Sequence, residues 1–140
     1  MPGMPKAPRV LVAEDDPAIR RLLATTLRRR RLDVEQAADG AEAVAALQRD
    51  RWDVVVMDLM MPRLTGWDLV RWLGEHPERR PRSVIVVSAA DREALHDLDP
   101  TIVNAIFFKP FDVVQLGTYV RSAACVGRPD RRHARKVKTI

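Results

Sequence analysis

Three short runs that are almost wholly apolar constrain this chain more than any other feature: residues 10–13 (VLVA), 53–57 (DVVVM) and 84–87 (VIVV). Each is too short for a buried helix and rich in valine and isoleucine. Strands with this composition are buried on both faces, which is the mark of a parallel sheet covered by helices. Helical patterns separate the runs. Ile19, Leu22, Leu23, Thr26 and Leu27 fall at i, i+3, i+4, i+7 and i+8, while Arg20, Arg21 and Arg28 to Arg31 mostly take the remaining positions. Pro17 stands where a first helical turn accepts proline, with Asp16 before it as the expected N-cap.

The alternation continues along the chain. Residues 34–37 read as a weaker strand, and Asp39-Gly40 as the turn into a helix that buries Ala43, Val44 and Leu47. Gly66, Leu69, Val70 and Leu73 repeat the helical spacing. Residues 105–108 read as a fifth strand, followed by a helix with Val113, Leu116 and Val120 on one side. Five βα units in succession predict a single α/β domain: a doubly wound, five-stranded parallel sheet. One unit is irregular, because Pro100 removes a donor and keeps Asp99 out of the helical region. A short helix over residues 91–97 followed by loop is expected there.

Composition removes several function classes. With 46% hydrophobic and 31% charged residues the chain reads as soluble and globular, and its longest apolar stretches are strand-sized, too short to span a bilayer. Residues 1–8 lack the apolar region of a secretory signal, and Cys125 has no second cysteine to pair with. Both point to a reducing, cytoplasmic setting. The net charge of +5 is not spread over the domain. Residues 128–140 hold six basic side chains against Asp130 and account for all of it, so residues 1–127 balance at 18 of each sign. The expected organisation is a disordered segment over 1–8, one domain over 9–124, and a flexible basic tail over 125–140. The tail could give salt-sensitive, sequence-blind contacts with nucleic acid, but no recognition helix or aromatic interleaving accompanies it, and a solvated end is the expectation.

In open α/β sheets, ligands bind outside the carboxyl ends of the strands. Those ends carry Glu14 and Asp15, Asp58, Ser88 and Lys109. Three crowded carboxylates repel one another, and a hard divalent cation such as Mg²⁺ relieves this while keeping sites for water and phosphate oxygens. Asp58 is the candidate nucleophile toward phosphorus, and Lys109 a point cation that neutralises the added charge.

These residues also carry a resemblance. VLVAEDDP, VVVMDLMMP, IVVSAA and FFKPF, in that order on successive strands, resemble the motifs of response-regulator receiver domains over residues 9–124. The resemblance implies the flavodoxin-like strand order 2-1-3-4-5 and phosphorylation of Asp58. It implies Mg²⁺ held by Glu14, Asp15, Asp58 and the backbone carbonyl of Met60. It assigns Ser88 to a phosphoryl oxygen and Lys109 to Asp58 or its phosphate, with a cis bond between Lys109 and Pro110. The implied partners are a sensor histidine kinase or histidine phosphotransfer protein and a downstream protein, with the chain acting as a phospho-acceptor rather than a turnover enzyme.

The chain departs from the family pattern at two places. Glu14 stands where aspartate is usual, one methylene longer. Ile106 occupies the position, three before the lysine, where the family often has an aromatic switch residue, and strand alternation aims Phe107 at the opposite face. A haloacid-dehalogenase-type phosphohydrolase also uses an aspartate nucleophile, but it wants a second aspartate two positions on, where this chain has Met60. A charge ladder for pairing through the last strand and helix is missing around Asn104-Ala105, so a monomer or weak dimer is expected.

Overall fold

The computed structural model describes residues 6–125 and 137–140. Strands β1 (Arg9–Ala13), β2 (Asp33–Ala37), β3 (Val54–Asp58), β4 (Ser83–Ser88), β5 (Ala105–Phe108) and β6 (Lys138–Thr139) form one sheet, ordered β2-β1-β3-β4-β5-β6. Every neighbouring pair is parallel. Among the described residues four α-helices cover it: α1 (Pro17–Arg28), α2 (Gly40–Arg49), α3 (Gly66–Glu75) and α4 (Val113–Cys125). The five expected strands stand in the expected order, and the sheet gains a sixth. Five strands was therefore one too few: β6 lies in the segment read as a flexible tail.

Alternation along the central strands builds two cores. Val10, Val12, Val54, Val56, Ile85, Val87 and Phe107 face Leu23, Leu27, Leu116 and Val120 of α1 and α4. Leu11, Val55, Met57, Val84, Val86 and Ile106 face Ala43 and Leu47 of α2 and Leu69 and Leu73 of α3. Ile106 and Phe107 thus lie on opposite faces, as alternation requires. Leu22, expected on the buried stripe of α1, is 49% exposed, because the helix meets the sheet through a narrower seam of Leu23, Ala24 and Leu27.

The helix starts are local chemistry. The Asp16 carboxylate accepts from the amides of Ala18 at 2.9 Å and Ile19 at 3.3 Å, with Pro17 opening α1. Asp39 accepts from Glu42 N at 2.8 Å, and Thr65 with Asp68 forms a reciprocal capping box on α3. The irregular unit after β4 contains only a 3₁₀ turn, Glu93–Asp97. Leu95, Leu98, Ile102 and Val103 fill the space a longer helix would cover. Asn104 then ties the segment back to the sheet, its amide donating to Val84 O and its Oδ1 accepting from Val84 N, both at 2.8 Å.

At the ends, Pro8 O accepts from Asp33 N at 2.9 Å, so the sheet begins to organise the chain before Arg9. Residues 1–5 lie outside the described residues. So do residues 126–136, which hold most of the basic tail and His133. Cys125 is the exposed last residue of α4. Among the described residues no helix is long and apolar enough to cross a membrane.

Gly66 fixes how closely α3 approaches β3. A Cβ there would lie 2.5 Å from Leu59 Cα and 2.6 Å from Asp58 O, both backbone atoms that cannot swing aside. Gly66→Ala is expected to lower stability by about 2 kcal/mol, the cost of overpacking against a rigid neighbour, measured by urea denaturation. An unchanged midpoint would show that the loop after Asp58 yields freely.

Candidate functional site

The parallel sheet delivers β1, β3, β4 and β5 to one rim, and the sequence places a polar residue at each end. Glu14 follows β1 and is 1% exposed, although it is a carboxylate. Asp58 closes β3 at 3% exposure, and Ser88 closes β4, fully buried. Asp15 stands exposed beside them. Oxygens of Glu14, Asp15 and Asp58 lie within 4.8 Å of one another. Three hard oxygen donors at this separation suit a small divalent cation such as Mg²⁺.

Lys109, one residue beyond β5, reaches back across the rim. Its Nζ donates to Asp58 Oδ2 at 3.1 Å and to Glu14 Oε1 and Oε2 at 3.3 and 3.4 Å. The backbone holds it in place, since Lys109 N donates to Ser88 O at 2.8 Å; the Lys109–Pro110 peptide is cis. The other Asp58 oxygen, Oδ1, accepts from Met60 N at 3.0 Å. Met60 itself is 57% exposed, which leaves the loop after Asp58 open to solvent.

The electrostatics follow from this crowding. Burial, and next the Asp58 charge, push the Glu14 carboxyl up to about 7 from an ordinary 4.5, against the pull of Lys109. Burial works against the Lys109 charge as well. The Asp58 and Glu14 carboxylates outweigh it and hold the ammonium above its usual range. The pocket therefore contains more negative charge than one ammonium balances, and both an added cation and a proton are favoured there.

All five side chains expected at the strand ends stand at this rim: Glu14, Asp15 and Asp58 are within reach of one another, Lys109 is bonded to two of them, and Ser88 is tied to Lys109 through its carbonyl. The Ser88 Oγ accepts from Ala90 N at 2.9 Å, which leaves its O–H free to donate. Ile106 is buried in the apolar cluster on the α2 and α3 side, without a polar role. Phe108, two residues on, carries the Arg92 guanidinium over its ring at 4.9 Å, so a cation–π contact links β5 to the loop after β4. Trp72 is half-buried against the same cluster and stacks on His76 at 4.2 Å.

Arg20 belongs to the site although its sequence position reads as the solvent side of α1. Its Nη1 donates to Glu14 O at 2.8 Å and to Asp15 O at 3.4 Å, fastening the acidic loop to the helix that follows. A turn of spacing beyond an acidic pair is too common a pattern for an arginine to reveal this in advance.

Comparison with known proteins agrees with this geometry. Residues 10–121 match the response regulator receiver domain family. The response regulator MprA of Mycobacterium leprae is 34% identical over 122 residues, covering 87% of this chain and 53% of the relative; the chain thus spans about half the length of such relatives. The receiver domain of the Francisella response regulator 1452 superposes with a TM-score of 0.76 at 31% identity, covering 84% of this chain and 96% of that one. A response regulator receiver protein from Pseudomonas putida gives 0.75 at 29% identity, covering 85% and 99%. Sequence, fold and strand-end residues agree, and the chain belongs to the response-regulator receiver domain family.

Proposed function

We propose that this chain is a cytoplasmic phospho-acceptor that takes a phosphoryl group on Asp58 from a sensor histidine kinase or histidine phosphotransfer protein. The observation that supports it best is the Lys109 ammonium held 3.1 Å from Asp58 Oδ2 and 3.3 Å from Glu14 Oε1, inside a pocket with excess negative charge. In the transfer an Asp58 carboxylate oxygen attacks the phosphorus of a phosphohistidine. A P–O bond forms as the P–N bond breaks, the imidazole nitrogen keeps the electron pair and takes a proton from solvent, and Asp58 becomes an acyl phosphate. Lys109 follows the added charge on its own short tether. Glu14, Asp15, Asp58 and the Met60 carbonyl would hold Mg²⁺, which supplies neutralisation of the phosphoryl oxygens.

Signalling through protein–protein contact then requires a change of surface. The free O–H of Ser88 is available to a phosphoryl oxygen while Ala90 N keeps its bond to Oγ. One charge-assisted hydrogen bond contributes roughly 1.5–3 kcal/mol, whereas moving a two-state equilibrium from 1:99 to 99:1 takes about 5.5. With Ile106 in place of an aromatic residue, the remainder falls to Lys109 and to the loop that Arg92 pins on Phe108, and the response is graded. Leu22, Met60 and Val114 are large apolar side chains exposed on the surface and are available to a docking protein.

The test is uptake of phosphate. Incubated with Mg²⁺ and a small-molecule phosphodonor, the protein is expected to gain the mass of one phosphoryl group, and chelation of the metal is expected to abolish the gain. No gain in the presence of Mg²⁺ contradicts the reading.

A further inference from the structure

The arginines at the end of the domain away from the rim are of two kinds. Arg9 pairs with Asp33 at 3.5 Å and Asp50 at 3.6 Å, Arg49 with Glu35 at 2.6 Å and Asp50 at 2.7 Å, and Arg82 with Asp53 at 3.8 Å. Arg28, Arg29, Arg30 and Arg31 follow one another where α1 ends, and none of them forms an ion pair with a described carboxylate. The nearest carboxylate along the chain is Asp33, which Arg9 already holds.

Two local features here work against stability, and both accommodate an arginine. Leu32 N donates to Leu27 O at 3.4 Å and Arg31 N to Arg28 O at 3.0 Å, the paired bonds of a Schellman ending, with Leu27 and Leu32 buried in the same cluster. Such an ending requires a left-handed residue, ordinarily glycine, yet the position is held by Arg31 at φ +63°. On α4, Gly117 weakens the interior of a helix. A Cβ there would collide with Arg30 Nε, and Arg30 Nη2 donates to Val114 O at 3.2 Å, so the glycine is the opening through which the Arg30 guanidinium lies across α4. Arg121 stands one turn further along the same side of α4. Five cations from two packed helices are gathered at one junction.

We propose that this junction, Arg28 to Arg31 with Arg121, binds the phosphate backbone of a nucleic acid. The guanidinium fork matches phosphate oxygens bidentately. Consecutive residues at a helix end point outward about 100° apart, so these arginines do not close on one small anion and suit charges repeated along a strand. A duplex presents such a series, one charge per about 1.7 Å of its axis. The contacts are to phosphate and carry no sequence information, which is why no groove-reading element is required. The inference does not depend on the phosphoryl chemistry, since α1 starts beside Asp15 and ends about 18 Å from its start.

Anisotropy of a short labelled DNA duplex, titrated with the full chain between about 50 and about 200 mM salt, reads the contact. Arg29→Gln with Arg31→Gly is expected to bind about tenfold more weakly at the low end, with a salt slope shallower by about 2. Arg63→Gln with Arg71→Gln removes the same charge from the α3 side of the sheet and is expected to keep the wild-type slope. Arg31→Gly alone is expected to raise the urea midpoint, because glycine relieves the left-handed position, while flattening the slope by about 1. It serves if the double variant does not fold, and a merely structural arginine would not raise the one and flatten the other. An unchanged slope in the α1 variants overturns the proposal by placing the contacts elsewhere. Equal weakening by the two double variants overturns it by reducing the effect to net charge. Competition by poly-glutamate as strong as by unlabelled duplex, at equal charge, overturns it in favour of an acidic peptide.

Discussion

Replacing Glu14 with glutamine is expected to make the metal-free protein more stable at pH 8, by about 3 kcal/mol. The Glu14 carboxyl sits at about 7 in the folded protein against 4.5 as its ordinary value. The folded state therefore binds a proton more tightly than the unfolded state does. That preference stabilises the fold fully below about 4.5 and is lost as pH rises through about 7. Above that, the buried charge is carried at full cost. Glutamine keeps the shape of the neutral acid and cannot ionise, so the variant escapes the cost at pH 8 and loses its advantage near pH 4.5. Chemical denaturation across this range measures the difference directly. Mg²⁺ is expected to stabilise the wild type at pH 8 more than the variant, since the charge it would neutralise is gone. A variant less stable than the wild type at pH 8 would mean that the Glu14–Lys109 pair outweighs burial.

Removing the ammonium has the opposite sign. In Lys109→Met the stem still packs, but Asp58 and Glu14, at 3% and 1% exposure, lose the cation that touches both. Breaking a buried pair by deleting one partner leaves an uncompensated charge, and a loss of about 3 kcal/mol at pH 8 is expected. The loss should narrow toward pH 5, where Glu14 takes up a proton, and should narrow again on adding Mg²⁺. A loss independent of both pH and metal would assign it to packing of the lysine stem rather than to charge. Together the two variants separate the terms that set the pocket: one carboxylate too many, one ammonium only partly sufficient.

Much of this was legible in the sequence, for physical reasons that differ by element. β1, β3 and β4 announce themselves because strands buried on both faces admit almost only branched apolar residues, and each ends abruptly at a polar one: Glu14, Asp58, Ser88. The strand-end rule then converts a linear pattern into a pocket without side-chain geometry. β6 was not legible. Two residues are too few to display an alternating pattern, and they follow a basic stretch; they are extended because β5 offers them a partner, a tertiary fact. Leu22 was misplaced on the buried stripe because periodicity gives the direction of an apolar face but not the width of the seam that meets the sheet. Arg20 was missed because its role depends on where a long, flexible side chain turns. Lys109 was expected at Asp58, but its simultaneous hold on Glu14 follows from the extra methylene of that residue, which carries the carboxylate across to the ammonium.

Asp58 is the proposed acceptor, and the location of the phosphoryl group tests that most directly. The wild type and Asp58→Ala should be incubated side by side with Mg²⁺ and a small-molecule phosphodonor, and the modified residue mapped by peptide mass. One phosphoryl group is expected on Asp58 in the wild type and none on the variant. Equal uptake by Asp58→Ala, or a group mapped to any other side chain of the wild type, would contradict it.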